Sequence, residues 1–71
     1  MQRRPVVSSK LRAVGYDARH QILEIEFLAG SVYHYFGVPE EVHEALMNAA
    51  SKGTYFQDRI REAYRHEKVN E

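Results

Sequence analysis

A chain of 71 residues, 44% apolar and 28% charged, has room for one small hydrophobic core and enough apolar residues to fold. Ten basic residues balance ten acidic ones, so strong nucleic-acid binding through bulk positive charge is not expected. The absence of cysteine excludes disulfides, iron–sulfur clusters and cysteine-based zinc sites.

Charge is unevenly distributed. Residues 1–14 carry Arg3, Arg4, Lys10 and Arg12 and no acid, whereas residues 15–50 set Arg19 against Asp17, Glu24, Glu26, Glu40, Glu41 and Glu44. Residues 1–8 contain Pro5 and show no periodicity, which predicts a flexible N-terminal segment. Residues 10–16 read as a first strand, with Asp17 opening the turn that follows. Residues 22–27 give the clearest strand: Leu23, Ile25 and Phe27 alternate with Glu24 and Glu26, the period of two of a half-buried strand. Leu28, Ala29 and Gly30 turn the chain into a third strand over residues 31–36, rich in aromatic and β-branched side chains.

The pattern then changes to helix. Val38-Pro39-Glu40-Glu41 is a helix start, with proline in the first turn and carboxylates at the positive end of the dipole. Val42, Ala45, Leu46 and Ala49 form its apolar stripe, and Gly53 is the expected stop. Thr54 and Gln57 match a capping box for a second helix, whose stripe would be Phe56, Ile60, Ala63 and Tyr64. Residues 67–71 are expected to fray. The predicted fold is α+β: a three-stranded antiparallel meander followed by two helices packed on one face, forming one domain over residues 9–66.

The turn at Gly30 decides where Tyr33 and Tyr35 point. A two-residue turn would pair Phe27 with Val32 and put both tyrosines on the solvent face, but requires Ala29 at positive φ, at a cost of about 1–2 kcal/mol. A three-residue turn with Gly30 as the left-handed bulge residue pairs Ile25 with Tyr33 and Leu23 with Tyr35, placing both tyrosines on the core face. The second register is favoured, and it leaves Val32, His34 and Phe36 on the outer face as a minor platform. On a solvent face the tyrosines would be a stacking platform for bases.

Chemistry-bearing clusters are sparse. The histidines at 20, 34, 43 and 66 lack the three- or four-residue helical spacing of a zinc pair, so no metal site is expected. Glu40, Glu41 and Glu44 fit a solvated helix start, no serine has a nucleophile context, and no glycine-rich loop cradles phosphate. Neither enzymatic activity nor a cofactor is expected. Arg59, Arg61 and Arg65 lie outside the stripe of the second helix, partly offset by Asp58 and Glu62. With Lys10, Arg12 and Lys52 they would form a cationic patch, to which the free helix end at Thr54 adds amides for a phosphate. No apolar run is long enough for a membrane span, and a cytoplasmic location is expected.

Val14-Gly15-Tyr16-Asp17, Leu23-Glu24-Ile25-Glu26-Phe27, Gly30-Ser31-Val32-Tyr33-His34-Tyr35 with Val38-Pro39, and Ala50-Ser51-Lys52-Gly53-Thr54-Tyr55-Phe56 with Ile60-Arg61, taken in this order, resemble the KTSC domain. That family takes its name from its place at the C-terminus of some lysyl-tRNA synthetases and also occurs as free-standing small bacterial proteins. The resemblance implies a domain without established activity, for which fusion to a synthetase suggests RNA, either tRNA or single-stranded, as partner. The candidate contacts are Tyr33 and Tyr35 for bases and Lys10, Arg12, Arg59 and Arg61 for phosphates. The alternative is a protein-interaction or structural module that uses an exposed sheet face or edge strand, as a monomer or weak homodimer.

Overall fold

The computed structural model describes residues 1–70. The architecture is α+β, with two helices and one antiparallel sheet of five strands rather than three. The strands are β1 (Arg3–Pro5), β2 (Leu11–Asp17), β3 (Ile22–Phe27), β4 (Val32–Phe36) and β5 (His66–Lys68). They lie side by side in chain order. The helices α1 (Glu40–Asn48) and α2 (Lys52–Arg59) fall between β4 and β5. Neither is long and apolar enough to cross a membrane.

The two additional strands occupy segments expected to be irregular. At three residues each they are too short to show periodicity, and contacts distant in sequence hold them. β1 pairs with β2, and Arg3 sits opposite Gly15. A Cβ at Gly15 would come within 3.2 Å of the Arg3 side chain and of the Gln2 carbonyl, so glycine is what lets β1 approach so closely. Pro5 is tolerated because it stands on an edge strand. β5 pairs with β4, matching His66 to Tyr35 and Lys68 to Tyr33. Beyond it, the Val69 N–H donates to the Val32 carbonyl at 2.8 Å. The Asn70 side chain accepts from the Val32 N–H at 2.7 Å and donates to the Gly30 carbonyl at 3.0 Å.

The β3–β4 register is the one that a bulge at Gly30 dictates. Ile25 faces Tyr33 and Leu23 faces Tyr35. The Gly30 N–H donates to the Phe27 carbonyl, the Phe27 N–H donates to the Ser31 carbonyl, both at 2.9 Å, and Gly30 has φ +106°. An extra residue between Leu11 and Ala13 bulges β2, so that Leu11 and Val14 both reach the core. The turn before β3 is built on Asp17, as expected: its Oδ1 accepts from the N–H groups of Arg19 and His20.

One face of the sheet and both helices enclose the core of Leu11, Val14, Leu23, Ile25, Tyr35, Val38, Leu46, Phe56 and Ile60. The helices break earlier than their apolar stripes suggest. α1 ends at Asn48, and Ser51 rather than Thr54 caps α2, its Oγ accepting from the Thr54 N–H at 3.3 Å. Gly53 is therefore a buried residue of the first turn of α2, packed against the Lys10 stem, and not the stop of α1. α2 ends at Arg59, and the N–H groups of Ile60 and Arg61 both donate to the Phe56 carbonyl. Ile60 is buried as the stripe requires, whereas Ala63 is exposed in the turn that returns the chain to β5.

Candidate functional site

The cavity lies where β4, the 28–31 turn, Lys10 and the C-terminal end of α2 meet, with β5 closing one side. Its volume is about 720 Å³. Of the six candidate contacts, Lys10, Tyr33, Tyr35 and Arg61 line it together. Their placement follows from local structure. The Gly30 bulge turns Tyr33 and Tyr35 toward α2. The early end of α2 frees Arg61 from helical geometry, and the Lys10 stem packs beside Gly53 in the first turn of α2. The Lys10 ammonium donates to Gln57 Oε1 at 2.6 Å, which fixes its charge at the rim.

The wall is aromatic. Phe56 meets Tyr35 edge-on at 5.4 Å between ring centroids and Phe27 at the same distance. Tyr33 and Tyr35 stand 6.3 Å apart with their planes 29° from parallel. His66, on β5, comes within 5.2 Å of Tyr35 and 5.9 Å of Tyr33. Tyr35 is only 3% exposed, whereas Tyr33 is half-buried and offers more of its ring to a ligand. Burial, and secondarily the Tyr33 phenol, push the Tyr35 hydroxyl up to about 12, against the pull of the nearby Arg61 charge. Tyr35 thus enters the site as a neutral phenol able to donate and accept a hydrogen bond.

Arg12 and Arg59 do not join this site. Arg12 sits on the β2 bulge, donates to the Leu28 carbonyl at 3.2 Å and lies 3.7 Å from the Glu26 carboxylate. Arg59 is exposed at the last turn of α2 and does not line this cavity. The broader cationic patch is dispersed as well: Lys52 donates to the Ala49 carbonyl, and the Arg65 guanidinium lies 4.8 Å from the Phe36 ring centroid. Helix α2 starts at Lys52 rather than after Thr54, and the Thr54 N–H is taken up by Ser51 Oγ.

The outer face carries a different constellation. Glu24 accepts from Arg3 at 2.8 Å and lies 2.7 Å from His34 Nε2, while Arg3 also reaches Glu26 at 3.4 Å. Burial raises the Glu24 carboxyl, but the hydrogen bonds from His34 and Arg3 outweigh it and hold the group below the usual carboxylate range. Val32, His34 and Phe36 do lie on this face but form no open platform. Val32 is buried, His34 is bonded to Glu24, and Phe36 meets Arg65 and the edge of His34.

Two residues escaped sequence reasoning. His66 stands at the last position of the expected domain and reads as a surface or edge imidazole, yet it walls the cavity; a three-residue strand gives no local signal. His43, which lies outside the apolar stripe of α1 formed by Val42, Ala45, Leu46 and Ala49, stacks on Tyr16 at 4.6 Å with planes 10° apart. Burial lowers its basicity against the opposing pull of Glu40 and Glu44. Tyr16 in turn donates to the Val38 carbonyl at 2.5 Å, so the stack ties β2 to α1.

Comparison with known proteins fixes the family. An uncharacterized protein of Stutzerimonas stutzeri is 50% identical over 56 residues, covering 79% of each chain. A lysine–tRNA ligase of a Nostoc species is 42% identical over 62 residues, which span 87% of this chain but only 11% of the ligase. A crystal structure of a KTSC domain protein from Yersinia pestis superposes with a TM-score of 0.92 at 41% identity, covering 97% of both chains. The KTSC domain profile matches residues 7–64, and the chain belongs to the KTSC domain family.

Proposed function

We propose that this KTSC domain is a non-catalytic, cytoplasmic RNA-binding module that contacts RNA through the aromatic cavity. The observation that carries the reading is the convergence of Lys10 and Arg61 on the rings of Tyr33 and Tyr35 around one opening. Aromatic faces beside cationic side chains are the chemistry of single-stranded RNA recognition, because bases stack while phosphates pair with the charges. The similarity to a segment of lysine–tRNA ligases supports the same partner class.

Neutral net charge sets the expected character of the binding. With only Lys10 and Arg61 neutralising phosphates, the slope of log affinity against log salt is about −1.4 for a single strand. The alternative, a protein-interaction module using a sheet edge or face, draws less support. The edges are the short strands Arg3–Pro5 and His66–Lys68, which carry charge and one proline, features that discourage strand pairing.

The test is fluorescence anisotropy with labelled tRNA and single-stranded RNA at low and near-physiological salt. Arg61→Ala is expected to weaken binding severalfold, and Arg59→Ala to leave it unchanged. No binding at low salt, or equal losses in the two variants, overturns the assignment.

A further inference from the structure

We infer that the cavity is a one-nucleotide pocket, receiving a single unstacked nucleoside monophosphate unit rather than a run of stacked bases. This rests on the RNA-binding reading and names the ligand of the same site. Its first support is size. A volume of about 720 Å³ is that of a small-molecule site, and aromatic side chains bound it from both the sheet and α2. An extended strand needs a continuing groove, whereas this open-mouthed depression is flanked by His66 of β5 on one side and by the 28–31 turn that Asn70 clasps on another.

The second support is an unused polar group. Tyr35 is 3% exposed, yet among the described residues no group hydrogen-bonds its hydroxyl. Among the described residues no side-chain oxygen lacks both solvent and a partner, so this hydroxyl opens onto the cavity that Tyr35 lines. A phenol held in an apolar wall with its donor and acceptor unspent is suited to a base edge or sugar hydroxyl entering the pocket. The third support is the arrangement of charge. Lys10 and Arg61 are the cations of the lining and Glu62 its one acid, so an entering group carrying one phosphate matches the electrostatics. Tyr33 and His66 provide the ring faces against which a flat base can lie.

The experiment is an NMR titration of the labelled full chain at low salt. The probes are uridine 5′-monophosphate, adenosine 5′-monophosphate, uridine, inorganic phosphate and a single-stranded oligoribonucleotide. The monophosphates are expected to shift Tyr33, Tyr35, Arg61 and His66 saturably, to bind more tightly than uridine or phosphate alone, and to displace the oligonucleotide. Tyr35→Phe, which keeps the ring, is expected to lower monophosphate affinity about 3- to 10-fold with an unchanged melting temperature, as for one lost hydrogen bond. If the oligonucleotide binds while the monophosphates leave the cavity unshifted, the one-nucleotide pocket is refuted and the RNA reading stands. Should the monophosphates bind while no RNA does, the pocket stands and the RNA reading falls. Wild-type affinity in Tyr35→Phe removes the hydroxyl from the site and refutes the inference as stated.

Discussion

Replacing Tyr35 by alanine and, separately, by phenylalanine divides the contribution of the ring from that of the hydroxyl. The ring is 3% exposed, packs edge-on against Phe56 at 5.4 Å and belongs to the main core cluster. Truncating such an aromatic costs about 3–5 kcal/mol, from lost burial plus the void left behind. A chain of 71 residues has a total stability on the order of 4–11 kcal/mol, so alanine removes a large share of it. With a urea m value of about 1 kcal/mol/M for a domain this small, the midpoint should fall by roughly 3 M or the chain should be unfolded in buffer. Phenylalanine deletes a hydroxyl that has no partner among the described residues and should cost less than about 1 kcal/mol. The two variants also differ in alkali. The folded state keeps the Tyr35 phenol neutral up to about 12, so its stabilisation is fully present below pH 10 and disappears as pH rises from 10 through 12. That amounts to roughly 2–3 kcal/mol, and Tyr35→Phe should lose this part of the alkaline decline. The assay is urea unfolding followed by far-ultraviolet circular dichroism across that pH range. An alanine midpoint within about 0.5 M of wild type, corresponding to less than about 1 kcal/mol, would refute the core placement of the ring and with it the β3–β4 register.

Three further outcomes test other parts of the structure. Glu24→Gln should cost about 1–3 kcal/mol at neutral pH by weakening the hydrogen bonds to Arg3 and His34. Because the folded carboxyl is held below its ordinary range, its stabilisation is present above that range and lost as pH falls through the lowered value; the gap between variant and wild type should narrow below about pH 4 in an acid titration of stability. Gly30→Ala meets no neighbour within 4 Å, so any loss reports backbone strain at φ +106°; about 1–2 kcal/mol is expected in thermal or urea melts. Ser51→Ala should cost about 0.5–2 kcal/mol through loss of the helix cap, and Thr54→Ala markedly less, measured in the same melts.

Much of the fold was readable because neighbouring residues encode it. The alternation of Leu23, Ile25 and Phe27 specified a half-buried strand, and the cost of positive φ at Ala29 against its ease at Gly30 specified the register of the next. What could not be read depends on partners distant in the chain. Arg3 makes a strand of its neighbours because Glu24 and Gly15 await it. Ser51 and Thr54 are both competent caps, and the helix starts at the earlier one, which brings Gly53 into its buried first turn beside the Lys10 stem. The candidate site divided along the same line. Lys10, Tyr33, Tyr35 and Arg61 converge, while the β2 bulge carries Arg12 to Glu26 and the early end of α2 leaves Arg59 outside. His66 was invisible because its role comes from pairing across the whole helical segment.

That pairing sets an order of events in folding. β1, β2, β3 and β4 follow one another through the short connections 6–10, 18–21 and 28–31, so each hairpin can close locally and quickly. β5 must wait until both helices have formed and docked, since residues 37–65 separate it from β4. The last strand to arrive is then the first to leave, with amides that exchange fastest among the paired strands. Because His66 walls the cavity, the proposed site is complete only in the fully closed state, and an occupant that touched His66 would slow the release of β5 as well as filling the pocket.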